Sequence, residues 1–515
     1  MYTSPFPDVE IPTQPVTPFV LQRVDELGDH PAIIDGPTGR TYTYSQLADG
    51  TRRFAGWLAG RGFGHGDVLG ILLPNLPEYF LTFHGAATVG GTVTTINPTY
   101  GPEEVAFQLQ DSGATLLVTI PMFVETAVAA AADSNVTDIV VIGETDEHIP
   151  FSEVLAAEPF GGHAEVDTAE DVVVLPYSSG TTGLPKGVML THRNLTANMA
   201  QTEHILRVEP GVERVIAVLP FFHIYGMQVL MNNVIYRGGT VVTMPRFDLP
   251  EFLRILQDHA ITIAYLVPPI VLALAKHPMV DDYDVSSLRL IFSGAAPLSG
   301  ELADDARRRL GVAVVQGYGM TELSPVTHST PEGSYNPASV GVTISNTETR
   351  IVDPATGDDA DPGEDGELWI RGPQVMKGYL NNAEATAATI DSEGWLHTGD
   401  IGHFDTDGFL YIVDRLKELI KYKGFQVPPA ELEGILLTHP AIADAAVIGV
   451  PDIEAGEVPK AFVVKAPGAE LDAEEVMAFV ADHVASYKKI RMVEFIDAVP
   501  KSASGKILRR ELRAV

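Results

Sequence analysis

The chain contains no cysteine in its 515 residues. Disulfides, thiolate metal sites and a cysteine nucleophile are thereby excluded, and the composition suits a cytoplasmic protein. Basic residues are also scarce, with 34 Lys and Arg against 68 Asp and Glu and a formal net charge of −34. A surface of that sign repels polyphosphate backbones, so nucleic acid is not an expected partner; in itself an acidic shell signifies solubility. No unbroken apolar run is long enough to span a bilayer. The longest apolar region, residues 215–244, is interrupted by His223, Asn232, Asn233 and Arg237 and reads as buried strand–helix–strand material, so no integral membrane segment is expected. The N-terminal MYTSPFPDVEIPTQP has neither the basic start nor the apolar core of a signal peptide. Internal repeats and low-complexity tracts are missing as well.

What is present is a chain 45% hydrophobic and 20% charged, ordinary for a globular protein but too long for one core. From about 41 to 320, strand-like apolar runs alternate with helix-period segments, as in 68-VLGILLPN-75 before 77-PEYFLTFHGAATVG-90 and 115-TLLVTI-120 before 122-MFVETAVAAAAD-133. That alternation predicts βαβ crossovers and parallel sheets covered on both faces. Between 341 and 413 short strands with Gly/Asp/Pro turns predict a β-rich subdomain. Beyond 411-YIVDRLKELIKYKG-424 follows a small α/β unit: a helix near 430–439, strands 445–450 and 461–466, and a helix 471–484 with Val476, Phe479, Val480 and Val484 on one face.

One stretch, 178-SSGTTGLPKGVMLTH-192, has the composition of a phosphate-holding loop without its commonest pattern. In G-x-x-x-x-G-K-[ST] counted from Gly180, the second glycine falls on Pro185, and Gly187 follows Lys186 where Ser or Thr should hold magnesium. Glycines still expose backbone N–H groups, hydroxyls still donate to phosphate oxygens, and Lys186 supplies charge. A strand at 172–177 precedes the loop, and Thr191 is a suitable N-cap for a helix from His192.

This string resembles the first signature of the acyl-adenylate-forming superfamily, which includes acyl-CoA ligases, firefly luciferases and the adenylation domains of peptide synthetases. The resemblance continues in order at 219-LPFFHIYG-226, 293-SGAAPLS-299, 316-QGYGMTE-322, 397-HTGDIG-402, 411-YIVDRLKELIKYKGFQV-427 and 500-PKSASGKILRREL-512, nearly the whole chain. FFHIYG, QGYGMTE and LKELIKYKGFQV are most similar to the 4-coumarate:CoA ligases. The resemblance implies a large N-terminal domain of parallel αβαβα sheets with a β-rich subdomain (1–414), a hinge (415–418) and a small mobile α+β lid (419–515). The implied chemistry is attack of a carboxylate on the α-phosphate of ATP, giving acyl-AMP and pyrophosphate, then attack by the thiol of CoA. A reaction needing no protein nucleophile asks the protein for positioning and charge neutralisation.

Residue by residue, the likeness places Ser178, Ser179, Gly180, Thr181, Thr182, Gly183 and Lys186 around the β- and γ-phosphates. Thr321 meets the α-phosphate, and Glu322 holds Mg²⁺, the hard cation a carboxylate suits; on its own Glu322 reads as a turn cap. Gln316, Gly317 and Tyr318 line the adenine cleft, although a strand Tyr by itself is core. Asp400 accepts both ribose hydroxyls with Arg415 beside it, where composition alone gives a turn aspartate. Lys506 bridges carboxylate and α-phosphate; without the PKSASGK context it is a solvated tail lysine. His223 gates and positions the acyl and thiol groups, a lone histidine in an apolar segment being more often a satisfied core residue. After rotation of the lid about Lys417, Lys421 and Gln426 serve the thioester step, and Arg246, Lys423, Gly424 and Phe425 meet CoA.

The implied acyl pocket comprises Ile224, Tyr225, Gln228, Tyr265, Phe292, Gly294, Ala295, Pro325 and Val326. Phe292 stands where the family commonly has Lys, Tyr265 where it has Met, and Gln228 where it has Asn. Two added rings make the pocket shorter or more apolar, favouring aryl or medium alkyl acids, with hydroxycinnamate as the leading substrate and medium- or long-chain fatty acids as the alternative. Transfer to a carrier protein is a further reading, weakened because no carrier domain follows Val515 and no anchoring Asp stands near 221–230. A luciferase-type oxygenase conflicts with FFHIYG in place of HHGF and with an ELRAV end that carries no peroxisomal signal. A non-catalytic nucleotide binder has no need of Lys506.

Overall fold

The computed structural model describes residues 1–178, 185–423, 425–502 and 505–513. The expected alternation of strands and helices builds two large sheets, of eight and nine strands among the described residues. In the first, Val68–Ile71, Thr92–Thr95, Leu116–Thr119 and Asp138–Val141 run parallel, with Val172–Ser178 parallel beside Thr92–Thr95. In the second, Pro31–Asp35, Thr240–Thr243, Arg214–Ala217, Ile263–Leu266, Leu290–Ser293 and Ala313–Gly319 are parallel. Runs such as LLVT, IAYL and LIFS are buried at every position, as strands covered on both faces require. Both sheets end in antiparallel strands that the alternation did not announce: Lys186–Thr191 and Gly378–Tyr379 on one, Val326–Ser329, Val342–Thr343 and Thr41–Thr43 on the other. The helix Pro77–Thr88 is buried at all 12 positions and touches strands of both sheets. Its Glu78 is paired with Arg40 and accepts from Tyr42 at 3.2 Å. None of the described helices is long and apolar enough to cross a membrane.

The β-rich segment forms an antiparallel sheet of Glu348–Val352, Gly366–Arg371, Leu396–Phe404 and Leu410–Arg415, with the N-terminal Tyr2–Thr3 added at its edge. After it, a second unit has its own apolar core, including Ile420, Leu432, Val447, Val463, Val476 and Val480. Its strands Ile442–Asp452 and Gly456–Lys465 pair antiparallel, and helices Pro429–Leu437 and Ala473–Ala481 pack on them, the latter started by a capping box of Asp472 and Glu475.

Where the two units join, one guanidinium serves three carboxylates. Arg509 lies 2.7 Å from Glu433, pairs with Glu418 and donates to the Val447 carbonyl at 3.2 Å. Asp414, also within reach of the Arg509 charge, accepts the Ala430 N–H at 2.9 Å and the Arg415 N–H at 2.7 Å. Burial raises the pKa of Asp414 and Glu433, and the Arg509 charge opposes that rise.

Two measurements follow. Arg509→Met strands these buried carboxylates without a counter-charge and is expected to cost about 3–5 kcal/mol; an unchanged urea midpoint would contradict the arrangement. Burial also pushes His84 and His328 down to about 3 and His192 and His223 down to about 4. Their folded-state values lie below the unfolded one, so the stability they contribute is full above pH 6.5 and is lost as pH falls towards 4. Each site adds about 1.4 kcal/mol per pH unit to the slope, and urea midpoints at pH 7, 6 and 5 should fall in that order.

Candidate active site

Residues 179–185 connect two antiparallel strands, Val172–Ser178 and Lys186–Thr191, so the helix His192–Gln201 starts a full strand later than in a strand–loop–helix phosphate site. Ser179, Gly180, Thr181, Thr182 and Gly183 lie outside the described residues. The two flanking residues are placed. Ser178 Oγ donates to Glu322 at 3.2 Å, and the Lys186 ammonium sits 4.1 Å from the centre of the Tyr379 ring. Tyr379 in turn donates to the same Glu322 oxygen at 2.8 Å. Burial, reinforced by the nearness of that carboxylate, raises the Tyr379 pKa and keeps the phenol a donor. Glu322 is buried on the short turn Thr321–Leu323 beside Thr321. Tyr379 carried no signal in the sequence, because it is brought in from an edge strand pairing at Val188.

Asp400 and Arg415 are direct partners across two antiparallel strands, which sets their side chains together with an ion pair of 3.0 Å. The second Asp400 oxygen accepts from Tyr318 at 2.6 Å. Tyr318 stands at the end of its parallel strand, next to Gly317, where an added Cβ would lie 2.6 Å from the Phe292 ring. Gln316 is a brace: it donates to Leu298 O at 3.0 Å and Pro337 O at 2.6 Å and accepts from Leu298 N. Lys506 reaches this group from the second unit. Burial and the Arg415 charge lower its pKa, while Asp400, Glu418 and Glu322 oppose them. A Cβ added at the preceding Gly505 would lie 3.3 Å from Val267 and 3.7 Å from Pro269 of the first unit.

His223 ends the segment 219-LPFFH-223, which Asn75 fixes from the other sheet by donating to Ala217 O and Leu219 O and accepting from Phe221 N, each at 2.8 Å. Nothing in the spacing marked Asn75 for that task. Burial holds His223 neutral, with a pKa of about 4. The helix that follows is π-wound over Tyr225–Asn232, a widening that commonly accompanies functional sites. Tyr225, Gln228, Tyr265, Phe292 and Val326 line one cavity, the Tyr265 and Phe292 rings 5.4 Å apart. A Cβ added at Gly294 would lie 3.0 Å from the Tyr225 ring, and Gly294, Ile224, Ala295 and Pro325 fall outside the lining, Ala295 being exposed with φ of 69°.

The remaining expected residues are not at this site. Lys421 and Gln426 face each other across the hairpin Ile420–Tyr422/Phe425–Val427, and with Lys423 they are exposed; Gly424 lies outside the described residues. Phe425 is 54% exposed and stacks on Tyr487 at 4.7 Å. Arg246 is exposed on the first unit, and Lys417 follows the Asp400 partner Arg415 by two residues.

This geometry offers a polyanion three cations, Lys186, Arg415 and Lys506, and one carboxylate suited to a hard metal. Comparison with known proteins agrees with it. Residues 20–380 match the family model described as AMP-binding enzyme, and residues 431–506 match the AMP-binding enzyme C-terminal domain. Over its whole length the chain is 46% identical to 4-coumarate–CoA ligase 3 of Oryza sativa subsp. japonica, covering 94% of it, and 45% identical to 4-coumarate–CoA ligase 1 of Petroselinum crispum, covering 96%. Among solved structures, the anthranilate CoA ligase AuaEII in complex with anthranoyl-AMP superposes with a TM-score of 0.91 at 27% identity, over 98% of both chains. ATP-bound MatB from Rhodopseudomonas palustris gives 0.89 at 28% identity, over 97% of this chain and 98% of MatB. The chain belongs to the AMP-binding enzyme family.

Proposed function

We infer that this chain is an ATP-dependent, AMP-forming acid–CoA ligase, and that its acid is a hydroxycinnamate or a related aryl acid. The observation that carries the reading is the arrival of Lys506 from the second unit beside Asp400, Arg415 and Glu322, in a chain 45–46% identical to 4-coumarate–CoA ligases over its full length. Asp400, held by Arg415 and Tyr318, presents its oxygens to the ribose hydroxyls. Lys186 and the 178–183 loop hold the β- and γ-phosphates. Lys506 neutralises charge as the substrate carboxylate closes on the α-phosphate and pyrophosphate departs. Burial, with the neighbouring Arg415 charge, lowers the pKa of this amine. Glu322 fits Mg²⁺, since that ion takes one or two carboxylates and completes its shell with phosphates and water; when bound, Mg²⁺ supplies charge neutralisation at the phosphates.

His223, with a pKa of about 4, is a poorly matched base for a thiol and serves as a neutral gate beside the acyl-AMP carbonyl. For the second step the unit beyond Lys417 rotates, withdrawing Lys506 and presenting the hairpin of Lys421, Lys423, Phe425 and Gln426, with Arg246 meeting the CoA phosphates. In the arrangement described here that hairpin is exposed, which is what the adenylating half of such a cycle requires. The lack of cysteine suits action in the cytoplasm. Medium-chain fatty acids are the second reading, favoured by Met199, Ile205, Leu206 and Val229 along the same cavity.

The test is loss of CoA thiol with ATP and Mg²⁺ over cinnamic, benzoic and C6–C12 acids, a signal free of background in a protein without cysteine. Lys506→Ala is expected to slow pyrophosphate release by about 10²–10³-fold, while conversion of supplied acyl-AMP by CoA changes only a few-fold. Lys421→Ala should do the reverse; equal effects of both variants on both half-reactions would overturn the division of labour. Phe292→Ala, which removes the ring wedged at Gly317, should raise kcat/KM for a methoxylated acid relative to cinnamate by about tenfold.

A further inference from the structure

His328 is fully buried and takes no part in the chemistry described above. It lies directly across the antiparallel ladder from Tyr318, with the two rings 6.0 Å apart. Burial lowers its pKa to about 3, so the imidazole is neutral, with one N–H and one acceptor nitrogen. Both nitrogens are engaged, Nδ1 with the Thr327 hydroxyl at 3.0 Å and Nε2 with the Thr349 hydroxyl at 3.1 Å. A ring held at both nitrogens cannot turn without losing a buried hydrogen bond. Tyr318, by contrast, is flanked by Gly317 and Gly319, and the strand register shifts between Tyr318 and Gly319. Glycine neighbours supply no side chains to fix it along its own strand, which leaves its position to the groups across the ladder.

The histidine is in turn tied to the segment around Tyr2. Thr349, whose hydroxyl bonds Nε2, is the register partner of Tyr2 on the edge strand Tyr2–Thr3. The Tyr2 ring stacks on Phe404 at 4.0 Å with 19° between the planes, and Phe404 stands 5.7 Å from the His328 ring. Phe404 ends the strand Leu396–Phe404, which carries Asp400 four residues earlier. The contacts close a circuit. It runs from Tyr2 to Phe404, along the strand to Asp400, across the 2.6 Å hydrogen bond to Tyr318, on to His328, and through Thr349 back to Tyr2. Asp8 accepts the Asn346 N–H at 3.0 Å and the Pro7 carbonyl accepts from Ser345 at 2.9 Å, so the segment is anchored beyond its first strand.

We propose that His328 and Tyr2 are positioning residues for the nucleotide, which through Tyr318 and Phe404 hold Asp400 where its oxygens meet the ribose hydroxyls. Neither touches substrate. His328 acts across the ladder on Tyr318, and Tyr2 acts from the sheet edge by holding Phe404 and the Thr349 strand in place. This rests on the reading that ATP places its ribose at Asp400.

The experiment compares kcat/KM for ATP with that for 2′-deoxy-ATP, using the best acid of the panel above, for the wild type, His328→Leu, Tyr2→Ala, Tyr2→Phe and Asp400→Asn. The readout is the ratio of the two nucleotides, which reports the ribose contact and in which a general loss of active protein cancels. The wild type should prefer ATP, and His328→Leu should lower that preference by about tenfold. Tyr2→Ala should lower it in the same direction by about threefold, and Tyr2→Phe, which keeps the stacked ring, should retain it. Tyr2→Ala is the deciding variant if His328→Leu does not fold. A preference unchanged in both His328→Leu and Tyr2→Ala overturns the proposal, as does an equal loss in Tyr2→Ala and Tyr2→Phe. A wild type that does not distinguish the two nucleotides, or a preference that Asp400→Asn leaves intact, would remove the ribose from Asp400 and take the proposal with it.

Discussion

Asp400 is the point on which three parts of the molecule converge. It comes from the antiparallel β-rich sheet, is held by Arg415 directly across the ladder, and accepts from Tyr318 at the end of the nine-stranded sheet. Lys506, from the second unit, lies within the field of the same group. A carboxylate with only 5% of its surface exposed needs such partners, because an unpaired charge at that depth is unfavourable. Pairing it also ties the β-rich sheet to the parallel sheet at this point.

Glu322 gathers partners in the same way. Ser178, from the eight-stranded sheet, and Tyr379, from its antiparallel edge, both donate to one oxygen of this carboxylate. Lys186 lies over the ring of Tyr379, Arg415 is paired with Asp400, and Lys506 feels both carboxylates, inside a protein whose overall charge is strongly negative. Net charge governs solubility and long-range steering, whereas a bound polyanion responds to the few groups within hydrogen-bonding reach. An acidic protein that binds ATP and CoA is therefore no contradiction.

The second unit meets the first through a compact electrostatic joint. Arg509 links Glu418, just past the proposed pivot at Lys417, to Glu433 on a helix and to the Val447 carbonyl on a strand. Arg509 is also three residues from Lys506. The same body carries Lys506 and the exposed hairpin of Lys421 and Gln426.

Much of this was legible in the sequence, for identifiable reasons. Parallel strands buried on both faces announce themselves as short apolar runs, and the helix at His192 follows from its Thr191 cap, which accepts the Asn194 N–H at 3.2 Å. The co-linear motifs point to Asp400, Arg415, Tyr318, Glu322 and Lys506 because local strings hold reactive groups at fixed offsets. The sequence by itself thus determined the fold class, the family and the chemistry of the reacting end. Only the tertiary structure decided which polar groups are already satisfied. Asn75, Tyr379, Asn198 and Arg509 act across long sequence separations, so no local pattern reveals them. Gln228 and Asn233 are both amides on one helical segment, and sequence cannot rank them. Their difference lies in what surrounds each: Leu195 and Asn232 occupy one amide, while the other turns an unpartnered oxygen into the cavity.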